Sequence, residues 1–223
     1  MAYLANKGIG LRVLDVTNPA SPNKAGIYFS LGGLTDITIA NGLAYIADSY
    51  TGLQIVNVAN PDRPVVAGVF HAPGYTTDVY VVGTTAYLAN YVRGLRIIDI
   101  SDPVNPVEIG FFAPSDAIYG VYVVGNLAYL AASSGLYIVN LIDPANPTQL
   151  GFFAASSSQD VQVIGTTAYV ASYNGLQLVN VSNPTNPTGL SLYATAHAAT
   201  SVVVVGAQAY VTMGYGGLQI INV

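Results

Sequence analysis

Any catalytic constellation in this chain would have to be drawn from His71, His197, Glu108 and ten aspartates, because its 223 residues contain no cysteine and only six lysines or arginines. The two histidines fall in repeats distant in sequence. No HExxH, GxSxG or phosphate-loop pattern is present, and "GIG" at Gly8 lacks the further glycine and following helix of a dinucleotide site. Acid–base chemistry needs convergent titratable groups, and the chain has too few to line a site. It is therefore expected not to be an enzyme, to have no catalytic residue and to need no cofactor. One metal arrangement deserves weighing. Asp36, Asp78 and Asp160 each precede an equivalent apolar segment, where the other repeats have Gly120 and Ser201. Three carboxylates around one mouth could hold a hard cation, which prefers oxygen ligands. The favoured reading is structural: an Asp before a strand accepts backbone N–H bonds in the preceding turn.

The composition narrows the partners. Charged residues make up 8% of the chain, against about 25% in an ordinary soluble domain. The net charge is −5, and Lys7, Arg12, Lys24, Arg63, Arg93 and Arg96 are too scattered for a basic patch, which argues against nucleic acid. Without cysteine there is no disulfide framework and no thiolate metal site. No apolar run approaches the roughly 18 residues of a membrane span, so insertion in a membrane is not expected. No signal peptide precedes the first motif, since Met1 is followed at once by "AYLA"; that abrupt start suggests a piece cut from a longer precursor.

The elements that must position these residues follow from a repeat. The tyrosine of "AY" recurs at Tyr3, Tyr45, Tyr87, Tyr129, Tyr169 and Tyr210, at spacings of 42, 42, 42, 40 and 41. Such a period marks a repeat architecture. Within the repeat starting at Ala86, four apolar segments stand out: "AYLAN", "GLRIIDI", "VEIGFFA" and, after a loop, "GVYVVG". Each is bounded by Gly, Pro, Asn or Asp and is too short for a stable helix, so each reads as a strand. Four short strands per period suit a propeller blade. Segments such as "LQIVNV" and "VVVV" are apolar on both faces, which requires sheets stacked on either side, as radially packed blades are.

Ten of the twelve prolines lie in one repeated phrase, as in "DPVNP" and "NPTNP". Asn18, Asn60, Asp102, Asp143 and Asn183 precede the first proline and fix an Asx-type turn. The second proline (Pro22, Pro64, Pro106, Pro147, Pro187) starts the next strand, where a missing N–H does least harm. The phrase is a corner between strands. Asp15, Asn57, Asp99, Asn140, Asn180 and Asn222 recur just before it and read as turn-stabilising; for that reason the formal sequon Asn180-Val181-Ser182 is expected to be unoccupied.

The pattern GL-x-IVNV-x-[ND]-P-x-x-P, followed by a strand ending in Gly and an inner "DVxVVG" strand, resembles the LVIVD repeat across essentially the whole chain. That resemblance implies a β-propeller, extracellular or cell-surface placement, and binding without catalysis.

The fold is expected to be all-β, a single β-propeller domain over 1–223, with repeats near 2–43, 44–85, 86–127, 128–167, 168–208 and a partial one at 209–223. If the inner strand is A and the outer strand D, the chain reads B-C-D, four full sets, then A-B-C. Six blade positions with incomplete ends are favoured; the alternative is a closed five-bladed ring, in which the last A-B-C pairs with the first D. In this arrangement D-to-A and B-to-C loops share one face and vary between repeats, and rigid scaffolds carry function on such loops. Tyr50, Tyr75, Tyr91, Tyr119, Tyr173 and Tyr215 would sit there with Arg93, Asn90, Asn174, His71 and His197. Tyrosine offers large amphipathic contact area, which suits a protein or carbohydrate partner. The alternative is a structural scaffold without a small-molecule ligand. Open strand edges at the two ends imply self-association.

Overall fold

The computed structural model describes residues 1–6, 8–30 and 32–223. Lys7, one of the six cations, lies outside them. The chain divides into two compact units, residues 1–110 and 111–223.

The first unit begins with a three-stranded antiparallel sheet of β1 (Ala2–Asn6), β2 (Gly10–Asp15) and β3 (Asn23–Phe29). A four-stranded sheet follows, β4 (Leu34–Ala40), β5 (Leu43–Asp48), β6 (Gly52–Asn57) and β7 (Val65–His71). The next is β8 (Asp78–Val82), β9 (Thr85–Ala89), β10 (Leu95–Asp99) and β11 (Val107–Phe112), with the boundary between units falling inside β11. The second unit holds two more four-stranded sheets. One is β12 (Ile118–Val124), β13 (Leu127–Ala132), β14 (Gly135–Asn140) and β15 (Thr148–Ala154); the other is β16 (Ser158–Ile164), β17 (Thr167–Ser172), β18 (Gly175–Asn180) and β19 (Thr188–Ala194). A three-stranded sheet of β20 (Ser201–Val205), β21 (Gln208–Met213) and β22 (Gly217–Asn222) ends the chain, with one 3-10 turn at Gly214–Gly216.

These are six blades of a β-propeller, the terminal two each lacking a strand. The five-bladed alternative fails because β3 completes its own sheet with β1 and β2. No helix of the described residues is long and apolar enough to cross a membrane.

Doubly apolar strands find apolar neighbours on both sides. Leu11, Ile46 and Val56 pack between the first two sheets, and Leu53, Ile55, Leu88 and Ile98 between the next two. In the second unit Leu136, Ile138, Val161 and Val170 form one such layer, and Leu176, Val202, Val211 and Ile221 the next. Tyr45 and Tyr129 belong to these layers; Tyr45, Tyr87 and Tyr129 are all buried, and burial pushes each phenol's pKa up.

The corners are built as their sequence demands. Asp15, Asn57, Asp99, Asn140 and Asn180 each accept the backbone N–H two residues on. Asn18, Asn60, Asp102, Asp143 and Asn183 do the same one turn later. Their carbonyls also accept the N–H three residues on, closing a β-turn ahead of each second proline. Strands β3, β7, β11, β15 and β19 then start one residue past that proline.

The corner also has a packing role. Gly151 is buried, and a Cβ built on it would lie 2.1 Å from the Pro184 carbonyl oxygen and 3.1 Å from Pro187 Cδ. Gly26 meets Pro61 and Pro64 in the same way, and Gly68 meets Pro103 and Val104. The glycines of β3, β7 and β15 are thus the flat surfaces against which the next repeat's corner rests. In β19 the equivalent residue is Ser191, in a strand exposed along its length. A β-bulge beside the glycine (between Ile138 and Val139 on the partner strand, for example) recurs in the outer strand pairs.

Candidate functional site

In residues 1–110 three of the expected tyrosines form a continuous aromatic surface. Tyr50 and Tyr75 meet edge-to-face at 5.8 Å between ring centroids, and Tyr75 meets Tyr91 at 6.5 Å. Such geometry is favoured by the aromatic quadrupole. Tyr50 is 78% exposed and the other two are somewhat over a third exposed.

Each ring stands on a loop held from below. The Tyr50 loop is organised by Asp48, whose fully buried carboxylate accepts the N–H groups of Tyr50 and Thr51 at 3.1 Å, Ser30 Oγ at 2.8 Å and Gln54 Nε2 at 2.6 Å. Tyr28 donates to Gln54 Oε1 at 2.8 Å; burial, and secondarily the Asp48 charge, raise its pKa. A buried charge is tolerated only when its lone pairs are met in this way.

The Tyr75 loop lies directly on the Tyr91 loop. Buried Asn90 donates through Nδ2 to Thr76 Oγ1 at 3.1 Å, and Thr77 N donates to the Ala89 carbonyl at 2.9 Å. Gly74 has φ +105°, and a Cβ there would come within 2.9 Å of Asn90 Oδ1 and of Arg93 Cγ, so only glycine fits. Tyr91 itself has φ +42°. A bulky residue in the left-handed region is strained, at a cost of about 1–3 kcal/mol, and such strain gathers at binding and switch sites. Arg93 is exposed beside this turn, and its guanidinium has no side-chain partner among the described residues. His71 ends β7, exposed, at the start of the Tyr75 loop.

In residues 111–223 the remaining candidates are placed less continuously. Tyr119 accepts a hydrogen bond from Ser133 Oγ at 3.3 Å, while Asp116 accepts Ser134 N and Ser134 Oγ. Tyr173 and Asn174 line an open pocket of about 580 Å³ together with His197. Tyr215 projects fully exposed from the 3-10 turn.

The aspartates considered for a cation are hydrogen-bond acceptors to neighbouring strands. Asp160 Oδ2 accepts Ser201 Oγ at 2.7 Å and Val202 N at 2.9 Å, and its Oδ1 accepts Val161 N at 2.7 Å. Asp36 accepts Val79 N at 3.3 Å, and Asp78 accepts the same N–H at 2.8 Å. The backbone acceptor role is as expected, but Asp36 and Asp160 lie inside β4 and β16 rather than before them, and these donors belong to the inner strands rather than to the preceding turn. Gln162 acts likewise on Val204 N at 2.6 Å, and Thr38 donates to the Val79 carbonyl at 2.9 Å. Among the described residues no group of three His, Cys, Asp or Glu side chains is placed to hold a metal ion.

Sequence reasoning passed over Asp48, Thr76 and the pocket wall at Leu192–Thr195. The signal for Asp48 was its position, occupied by Asn90, Ala132, Ser172 and Met213 in other repeats; one charged residue in a slot otherwise neutral marks a loop with its own anchoring.

The protein-family model described as LVIVD repeat matches residues 1–29, 32–71, 73–113, 119–154 and 155–195. No curated protein matches the chain in sequence. Among solved structures it is similar to the computationally designed Ika8 protein, with a TM-score of 0.76 at 9% identity, over 99% of this chain and 67% of that one. It is also similar to a functionally unknown protein from Desulfotomaculum acetoxidans DSM 771, with a TM-score of 0.69 at 15% identity, over 89% of this chain and 72% of that one. At such identities the likeness shows the fold alone.

Proposed function

We propose that this chain, which belongs to the LVIVD-repeat family, is a non-catalytic binding module that recognises protein or carbohydrate through its tyrosine-bearing loops. The family is generally associated with surface proteins, and we place the chain outside the cell or at its surface on that ground. The observation that carries the reading is the Tyr50–Tyr75–Tyr91 surface. Three edge-to-face rings, one on a strained backbone and all on loops braced by buried polar groups, present a preorganised aromatic patch. Preorganisation lowers the ordering cost of binding. Support for the absence of catalysis comes from the acids: Asp48, Asp36 and Asp160 already serve as acceptors for structural donors.

Screening the whole chain against a glycan array and surface-protein extracts supplies the partner, and truncation of the rings then tests the site. Tyr75→Ala or Tyr91→Ala should weaken binding by about 1–2 kcal/mol or more, as buried aromatic anchors do. A partner that tolerates both truncations but is lost on changing the proline corners would place recognition on the opposite loops.

A second reading, a structural scaffold, draws on the keyed outer glycines and the buried "AY" tyrosines. Broad screening without any partner would favour it.

A further inference from the structure

Residues 111–223 carry an open pocket whose walls favour one ligand chemistry. We propose that it takes a neutral pyranose, one sugar ring of a glycan or a free monosaccharide. This deepens the reading of the tyrosine-bearing loops as a binding face and rests on it.

The pocket measures about 580 Å³, inside the range of about 300–1,000 Å³ usual for small-molecule sites. Tyr173 supplies one wall, and the residue is 67% exposed, which leaves its aromatic surface open to a ligand. Leu192 and three alanines supply apolar surface, and Asn174, Thr195 and His197 supply polar groups.

Those polar groups keep spare hydrogen-bonding capacity. Asn174 donates one amide hydrogen to Ser156 Oγ at 3.1 Å, leaving the other hydrogen and the carbonyl oxygen. Thr195 donates its hydroxyl hydrogen to the His197 carbonyl at 2.6 Å, leaving its own lone pairs as acceptors. The imidazole offers a donor and an acceptor in its neutral form.

The wall is braced as a binding site must be. Tyr173 N donates to the Ser156 carbonyl at 3.0 Å, and Ala199 N donates to the Ser172 carbonyl at 3.0 Å. The imidazole of His197 packs against the 3-10 turn: a Cβ on Gly216 would stand 2.8 Å from its Cδ2.

Three ligand classes can be separated on these walls. No Asp, Glu, Lys or Arg lines the pocket, so a cation would lose hydration without gaining a counter-charge, and an anion would find none beyond the His197 imidazole. A wholly apolar ligand would strip water from the amide, the hydroxyl and the imidazole and leave them unpaired. A pyranose satisfies both demands, since its C–H face packs on the aromatic ring and its hydroxyls pair with the neutral polar groups.

The test uses the whole chain and NMR of its two histidines, with His71 as the internal control. The probes are the methyl glycosides of glucose, galactose and mannose, with sodium glucuronate and inorganic phosphate as charged counterparts. At least one glycoside should shift the His197 imidazole resonances saturably, with a Kd of about 1–10 mM, and leave His71 in place. Glucuronate and phosphate should bind more weakly. Tyr173→Ala should weaken the glycoside about five-fold, the effect expected of one stacked aromatic. Gly216→Ala, which drives a methyl into the imidazole, should shift His197 before any sugar is added and weaken binding as well. Circular dichroism of both variants confirms that the sheets are intact.

The proposal falls if no neutral glycoside moves His197 at about ten times that concentration, if glucuronate or phosphate binds as tightly, or if folded Tyr173→Ala binds unchanged. If the glycosides fail while a screened partner still needs Tyr173, the sugar assignment alone is lost and the wider binding reading stands.

Discussion

Gly151→Ala separates two opposing effects by their sign. In open space a Gly→Ala change stabilises by about 0.4–1 kcal/mol, because the unfolded chain loses freedom. Gly151 has no positive φ to preserve, so backbone strain does not enter. The new methyl, however, would stand 2.1 Å from the Pro184 carbonyl oxygen and 3.1 Å from Pro187 Cδ. A carbon–oxygen contact needs more than about 3 Å, so the corner must retreat by roughly 1 Å, and the obstacle is backbone rather than a mobile side chain. Overpacking of this kind costs about 1–3 kcal/mol, and a backbone obstacle puts the change toward the upper end. At about 2–4 °C per kcal/mol for a chain of this size, Tm should fall by roughly 5–10 °C. Thermal melts followed by circular dichroism measure it, with Ser191→Ala as the matched control at the position that already carries a Cβ. The control should stay within about 0.5 kcal/mol of the parent. A Gly151→Ala protein as stable as the parent, or more so, would refute the keyed-corner account.

The remaining predictions concern acid, the inner ties and the open edges. Hydrogen bonds from Thr17 to Asp15, from Ser101 to Asp99, from Asn105 to Asp102 and from Asn146 to Asp143 hold these carboxyls below the usual carboxylate range. A depressed folded pKa adds stability above the unfolded value of about 3.9, and that stability is lost as pH falls through the folded values; stability curves should steepen below about pH 4, and Asp99→Asn/Asp102→Asn/Asp143→Asn should flatten that slope while keeping the turns. Asp160→Ala leaves Ser201 Oγ and Val202 N without their acceptor and should destabilise by about 1–3 kcal/mol in chemical denaturation, whereas calcium should leave the parent's Tm unchanged. Strand β22 is an unpaired edge with Leu218 and Ile220 more than half exposed; sedimentation should show concentration-dependent dimers, weakened by Ile220→Lys.

The repeat was legible because its punctuation is chemical. Asn or Asp before proline has few uses other than a turn, and five copies at one period placed every outer strand. The doubly apolar strands disclosed stacked sheets for the same reason: a wet face would have carried polar residues. What stayed hidden acts across one whole period. Thr38 reaches Val79 and Asp160 reaches Val202, 41 and 42 residues away, so neither partner stands near the other in the chain. Nothing local explains the glycine at position 151; its reason is a carbonyl in the following repeat. The tyrosines could be assigned to loops, but not to a row, since the row depends on Gly74, Asn90 and the left-handed backbone of Tyr91. Loop-tip geometry is set by such singular contacts and carries no period.

The glycine-and-corner contact has a consequence for how such a chain can change in length. The repeats of β3, β7 and β15 each bear a socket, the bare Cα of Gly26, Gly68 or Gly151, and the proline corner of the following repeat is the key that fits it. Socket and key lie on the same stretch of sequence, from Asn60 to Gly68 in one repeat and from Asp143 to Gly151 in another. A duplication or deletion of one full period that keeps a glycine in each such outer strand therefore returns each key to a socket. A fractional change would instead bring a side chain such as that of Ser191 against an incoming carbonyl. Growth and shrinkage in whole steps is the one kind of length variation that leaves each joint intact, and the loops on the tyrosine-bearing side are free to diverge between steps.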